Sequence, residues 1–289
     1  MPRTDPLRSS LRDEARALEP WARSRGTTGP SVVASRATAV VALVGCGRLG
    51  AVVVDVLGSA GVETVVLDDA RQVRPADVGV GGLREHHVGR RRDDAVGDAA
   101  RVSHHALKVG RRDALSPDVV VLVVEDGGEV LRTARLMAEG VAHLVVTAAA
   151  WGAAVGPFVL PGQTACMRCV ELQDPSDGRG GRGADGQTGR GAGRDVGVDV
   201  DIPEQGAGEA AHVPGGTGLP VLVPQPSVVA ALAGAVVAAE VLAYLDGRRP
   251  ATAGASIEVE TLDAMPRLRG WSVHPRCGCT GMGAVAPGS

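Results

Sequence analysis

Two groups of residues in this chain have the types and spacing to do chemistry. The first is Gly45-Cys46-Gly47-Arg48-Leu49-Gly50, a G-x-G-x-x-G. Glycines at those positions permit a tight turn and close backbone approach, so phosphate oxygens can rest on the N-terminus of a following helix. Such turns also serve plain helix–sheet packing, so context decides. Here the apolar run ATAVVALVG (37–45) leads into the turn and residues 49–60 read as a helix. A second strand, VETVVLDD (62–69), ends in Asp68-Asp69, with Asp69 24 residues beyond Gly45. An acid there can accept both ribose hydroxyls of a nucleotide. A hydride-transferring dinucleotide enzyme is the first rival. The single tyrosine, Tyr244, lies inside an apolar helical run, which argues against a tyrosine-based site of that kind.

The second group is Cys166-Met-Arg-Cys169, after the turn Pro161-Gly162, together with Cys277-Gly-Cys279 at the far end of the chain. Four thiolates in two close pairs suit tetrahedral zinc, Zn²⁺. Reduced structural thiols and a C-x-x-C redox pair are the alternatives. A redox pair should open a helix after a thioredoxin-type strand, and this pair follows a Pro-Gly turn. A closed four-thiolate site has no open position, so its expected role is to staple the C-terminus. The fifth cysteine, Cys46, reads as a small residue that fits the glycine turn. His86-His87 and His104-His105 lack acids at helical spacing and read as surface residues.

The elements that must position these groups follow from pattern. Residues 8–24 read as an amphipathic helix and 25–36 as a polar linker, so 1–36 stands before the main domain. Residues 37–280 form that domain. DVVVLVVED (118–126) is a third buried strand, 129–139 a helix and VAHLVVTAAA (141–150) a fourth strand. Strand–helix alternation of this kind implies an α/β fold with a doubly wound, mostly parallel sheet. Residues 173–218 are rich in Gly, Asp and Arg, cannot bury a core, and read as a mobile loop. IEVETL (257–262) and PRLRGWSV (266–273) read as antiparallel strands leading to the cysteine staple, so 257–279 is a C-terminal extension. Residues 281–289 read as a disordered tail.

Composition narrows the classes. With 289 residues and a net charge of -3, the chain has no basic excess for broad nucleic-acid binding. Aromatics make up only 2%, too few for base stacking, so the core must be Val, Leu and Ala. The apolar run 227–245 carries Glu240 and is followed by Asp246, Arg248 and Arg249; it reads as a buried helix rather than a membrane span. No signal-peptide pattern opens the chain, which sets the cytoplasm as the expected compartment.

These motifs together resemble the ThiF/MoeB/HesA family, bacterial relatives of ubiquitin-activating enzymes. The resemblance covers roughly 38–280 and rests on VALVGCGRLG, GVETVVLDDARQV, VGRRRDDA, DVVVLVVED and LPGQTACMRC with the terminal CGC. It implies a Rossmann-like domain that binds ATP and Mg²⁺, adenylates the C-terminal carboxylate of a peptide or small protein, and forms a homodimer. It also implies that Gly45, Gly47, Arg48, Gly50, Asp68, Asp69 and Arg92 hold the nucleotide. Arg92 stands where the family has a lysine and, with Glu125 or Asp126 as the Mg²⁺ acid, would serve catalysis. Three departures stand out. The family's phosphate-reaching Arg is replaced near Val80, its T-D-N becomes Glu125-Asp126-Gly127, and Arg48 replaces a glycine. The pattern is similar, too, to degenerate ThiF-like proteins of azole-forming peptide pathways, which present a precursor peptide to a cyclodehydratase. Those usually carry a winged helix before the domain, for which 36 residues are too few. The resemblance therefore implies either an adenylyltransferase or a catalytically silent docking subunit.

Overall fold

Unbroken runs of Val and Leu favour strands covered on both faces, and such runs form the centre of this molecule. A computed structural model describes residues 9–110, 116–124, 130–149, 151–173 and 225–280. Its strands are β1 (Val40–Val44), β2 (Thr64–Asp68), β3 (Lys108–Gly110), β4 (Val119–Val124), β5 (His143–Ala149), β6 (Gly152–Val159), β7 (Ala255–Glu260) and β8 (Pro266–Gly270). They make one sheet in the order β3-β2-β1-β4-β5-β6-β7-β8. The first five are parallel, and β6 to β8 add on antiparallel. The expected doubly wound sheet with an antiparallel extension is the sheet found.

The helices are α1 (Ser9–Ser24), α2 (Gly29–Thr38), α3 (Arg48–Ser59), α4 (Arg92–Ser103), α5 (Val130–Ala138), α6 (Met167–Gln173) and α7 (Ser227–Leu245). Helices α3, α4 and α7 share one apolar core with Val41, Leu43, Val121 and Leu144 on one sheet face. Leu136 of α5 packs on the other face, against Val120, Leu122 and Val145. Strand β4, near the middle of the sheet, is buried on both sides, whereas β1 alternates buried with half-buried residues.

Helix α7 is long and apolar enough to cross a membrane, but Val229, Ala233, Val237 and Val241 are fully buried in the core. Its Glu240 carboxylate accepts the Thr252 N–H and hydroxyl, each at 2.6 Å, so the buried acid has internal partners. This is a core helix, as its charge pattern implied.

Three expectations are corrected. Residues 25–36 are no simple linker, because α2 occupies most of them. Thr28 caps it by accepting the Ser31 N–H at 3.3 Å, with Pro30 in the first turn. Its buried Arg36 forms a bidentate pair with Asp246 at 2.8–2.9 Å, tying α2 to the end of α7. His87 is buried rather than on the surface, its Nδ1 accepting the Arg84 N–H. His104 does have an acid partner, Asp55 at 2.9 Å, supplied by α3 and not by its own helix. The 173–218 loop and the 281–289 tail lie outside the described residues, apart from Gln173, which closes α6.

Helix α3 carries the glycine turn, and its distance from α7 is set by Gly234. A Cβ there would come within 2.7 Å of Val52. Gly234→Leu is therefore expected to force the two helices apart and cost about 1–3 kcal/mol or more of stability in urea unfolding. An unchanged midpoint would show that the contact is loose.

Candidate functional site

The glycine turn joins β1 to α3. Gly45 has φ +93°, and a Cβ there would lie 2.6 Å from the Val123 carbonyl of β4, so only glycine fits. At Gly50 a Cβ would lie 2.2 Å from the Gly45 carbonyl, so the third glycine lets α3 start tight against the turn. Gly47 is the N-cap of α3 and supplies no side-chain cap. Its first amides are left to an anion or water, the usual arrangement at a phosphate-holding helix. Cys46 is fully buried, and burial pushes its thiol well above the ordinary range, so it is inert packing.

The two acids at the end of β2 diverge. Asp68 is one-third exposed, with Arg132 of α5 3.6 Å away. It lies at a cleft of about 360 Å³ that runs over the half-covered face of β1 past Ala42, Val44 and Leu122. Asp69 turns inward. Its Oδ2 accepts the Cys46 N–H at 2.8 Å, and its Oδ1 accepts the Arg71 N–H at 3.1 Å. The Arg71 guanidinium adds two bonds, Nε to Oδ1 at 2.8 Å and Nη2 to Oδ2 at 3.0 Å. Arg92 completes the set from Nη1 at 3.4 Å. Burial alone would raise the Asp69 carboxyl, but Arg71 and the Cys46 N–H outweigh it and hold it below its ordinary value.

The placements of the two expected phosphate cations are unlike those the resemblance implied. Arg92 has 0% exposure and is the largest fully buried side chain among the described residues. Its guanidinium grips Asp77 with Nε at 3.0 Å and Nη2 at 2.8–2.9 Å, besides reaching Asp69. Backbone bonds from Arg92 to Arg71 and from Asp93 to Asp69 hold the start of α4 against the end of β2. Arg48 donates to the carbonyls of Gln225 and Val78, both at 2.9 Å, and to the Ser227 hydroxyl at 3.2 Å. It thereby ties the turn to the start of α7. Val80, near the place where the resemblance implies an arginine, packs on the core. Glu125 and Asp126, expected at the end of β4, lie outside the described residues. Asp77 and Arg71 were not singled out in the sequence. The cation inside DDARQVRPAD and the acid that ends it were the available signal.

The four cysteines meet at the other end of the sheet. The turn after β6 is held by Thr164, whose hydroxyl accepts the Leu160 N–H at 2.9 Å. It sets Cys166 and Cys169 one turn apart at the start of α6. Past β8, a turn at Gly278 (φ +74°) presents Cys277 and Cys279. Trp271 packs beneath, its indole N–H donating to Ser256 at 2.8 Å. All four sulfurs lie within 4.8 Å of one another, with close pairs at 3.5, 3.5 and 3.9 Å. A tetrahedral ion with metal–sulfur bonds near 2.3 Å needs sulfurs about 3.8 Å apart. The His274 N–H points at Cys169 Sγ at 3.3 Å, as at a ligating thiolate. Burial and neighbouring sulfurs push the Cys277 thiol up to about 11 and raise Cys279 as well, whereas the His274 N–H helps hold Cys169 below its ordinary value, so ionising all four together would take a cation's charge. The residues fit a structural metal.

No family model matches the chain, and no curated protein is similar to it in sequence. Solved structures share its fold. The microcin C7 biosynthetic enzyme MccB in complex with N-formylated MccA superposes with TM-score 0.68 at 15% identity, covering 95% of this chain and 77% of that one. Escherichia coli MccB with AMPCPP and MccA gives 0.67 at 14%, covering 96% and 75%. PaaA gives 0.63 at 13%, covering 93% and 85%. The fold is thus the one that the ThiF/MoeB/HesA resemblance implied.

Three outcomes follow. Asp77→Ala would leave the buried Arg92 without its main partner and is expected to cost about 3–5 kcal/mol in denaturant unfolding. Because the folded carboxyl of Asp69 titrates below its unfolded value near 3.9, its stabilising share is complete above about pH 4 and is lost as pH falls through the lower folded value. For the cysteines, one divalent metal per chain is expected by elemental analysis, and chelation or Cys277→Ser should lower the melting temperature by several degrees. Metal-free protein with four freely reactive thiols and an unchanged melting temperature would refute the centre.

Proposed function

We propose that the protein binds ATP at the glycine turn and transfers its adenylyl group to the carboxylate of a peptide or small protein. In this reaction a carboxylate oxygen attacks the α-phosphorus, the bond between the α-phosphorus and its bridging oxygen to the β-phosphate breaks, and pyrophosphate leaves. The observation that carries the reading is the bare N-terminus of α3 behind Gly45, Gly47 and Gly50, with two acids at the end of the adjacent strand. Solved structures of the same fold bound to ATP, to AMPCPP and to MccA support it.

In this reading the α3 amides receive phosphate oxygens, Asp69 accepts the ribose hydroxyls, and Asp68 lies at the rim. Arg48 and Arg92 supply positive charge from behind their present partners. Glu125 or Asp126 holds Mg²⁺, which neutralises phosphate charge. The four-cysteine centre holds Zn²⁺, the ion that closed thiolate sites prefer. A homodimer in the cytoplasm, receiving a peptide tail from a precursor or partner protein, completes the assignment.

One observation favours a second reading, a silent docking subunit that presents a peptide to a cyclodehydratase. Arg92 is sealed between Asp77 and Asp69, and Arg48 is engaged by carbonyls, so each cation starts with a partner. Losing a charge-assisted phosphate contact costs roughly 1.5–3 kcal/mol, or about ten- to a hundred-fold in affinity. MgATP is therefore expected to bind in the high micromolar range or weaker by calorimetry. Asp69→Asn, which keeps the shape, should weaken it by a further ten-fold or so. ATP–pyrophosphate exchange that appears only with an added peptide supports adenylation; MgATP binding without exchange for any candidate tail supports docking. Submicromolar ATP binding that survives Asp69→Asn would place the nucleotide elsewhere.

A further inference from the structure

The nucleotide reading has a steric difficulty that the structure itself resolves. The Asp69 side chain is only 2% exposed, and its two oxygens already accept five hydrogen bonds. A carboxylate offers about four good acceptor positions, so a ribose can add nothing while all five donors remain. The donors differ in how easily they leave. The Cys46 N–H belongs to the glycine turn, the Arg71 N–H to the chain just after β2, and Arg92 is sealed in the core. Only the Arg71 guanidinium is carried by a side chain with solvent access, 36% exposed.

We propose that Arg71 is a latch: its guanidinium covers Asp69 in the free protein and must swing away before a nucleotide's ribose can bind. The inference rests on the nucleotide reading above and adds a control to that site. Departure of Nε and Nη2 leaves Oδ1 with one donor, the Arg71 N–H, and Oδ2 with the Cys46 N–H and the Arg92 contact at 3.4 Å, which is too long for a full hydrogen bond, so one acceptor position opens on each oxygen. Two vicinal hydroxyls need that number. The backbone bond from Arg71 to Asp69 stays, so the chain keeps its course while the side chain rotates into solvent. The latch is selective in a simple way. A ligand that offers two hydroxyl donors can replace the two guanidinium bonds, whereas a 2′-deoxyribose replaces only one.

Adenosine is the probe, because it has the ribose and lacks the phosphates that other arginines would feel. Its affinity should be measured by calorimetry or ligand-observed NMR for wild type, Arg71→Ala, Arg71→Gln and Arg71→Lys. Truncating the latch to Ala or Gln should tighten adenosine binding five- to fifty-fold, with Lys in between and every variant still folded, at a somewhat lower melting temperature because Asp69 loses a counter-charge. The gain for 2′-deoxyadenosine should be smaller. A merely structural Arg71 would leave affinity unchanged or weaken it. Equal or weaker adenosine binding by both folded variants, with wild type still binding MgATP, overturns the latch and leaves the nucleotide reading standing. Failure of wild type and variants alike to bind adenosine or MgATP overturns both.

Discussion

The molecule's organisation depends on one buried charge constraint, the guanidinium of Arg92 between Asp77 and Asp69. A fully dehydrated arginine is tolerated only when its donors are met in a fixed geometry. Asp77 meets two of them and fixes the 3₁₀ turn at Pro75–Asp77 over the core. Asp69 takes another and is bonded to the amide of the glycine turn. The start of α4, the end of β2, the segment after it and the start of α3 are thereby held in one arrangement. Replacing such a cluster by apolar groups can be neutral for stability, so its value here lies in specifying geometry. The chain fixes its glycine turn through a charge network whose members include Asp69 and Arg92, two of the residues that the proposed function assigns to a nucleotide.

The far end of the sheet solves a different problem by different means. The parallel strands bring chemistry to their C-terminal ends, but the antiparallel strands β6, β7 and β8 return the chain along the sheet's flank. That path places Cys277 against Cys166 across 111 residues of sequence. Around them the packing is thin: Val159, Ala165, Val170 and Trp271 are the apolar neighbours. Among the described residues Trp271 is the one large ring there, and a metal held by the four sulfurs would supply the cross-link that a bigger core provides elsewhere. Gln173 reinforces it: its side-chain N–H groups donate to the Cys169 carbonyl in its own helix and to the Ser272 carbonyl opposite, and its Oε1 accepts the Ser272 N–H. The two ends are therefore built from unlike interactions and can fail separately.

How legible this was in the sequence depended on how local the signal is. The β1–glycine turn–α3–β2 unit could be read because apolar runs, glycines and acids stand in one short stretch. The cysteine centre could be read because spacing alone reports a tetrahedral ligand set, although its meeting needs the whole sheet. Helix α2 was hidden: GPSVVASRAT is small and polar, and only its Thr28 cap and Pro30 announced it. Helix α4 and strand β6 left little trace, since RDDAVGDAARVS buries mainly Ala95, Val96 and Ala100, and GAAVGPFV carries glycines and a proline. The positions of Arg92 and Arg48 could not be read at all. A motif says which residue stands where a lysine or glycine usually does, but not whether an acid elsewhere claims its charge.

That last gap bears on what kind of site this is. A pocket built in advance for a polyphosphate holds its cations exposed, so binding is docking onto standing charge. Here the cations nearest the turn all begin with partners: Arg48 with carbonyls, Arg71 with Asp69, Arg92 with two carboxylates. Asp68 itself faces Arg132. Binding would have to proceed as an exchange of partners, in which each guanidinium gives up an oxygen of the protein for one of the ligand. Such an exchange lowers net affinity, because only the difference between the two partners is gained. It also makes occupancy depend on whatever else shifts those partners. Arg48 is the clearest instance, since releasing it from Gln225 and Ser227 loosens the join between the glycine turn and α7. A peptide that pulls on the start of α7 would thus change how strongly the turn holds phosphate, and the two ligands would be coupled through one side chain.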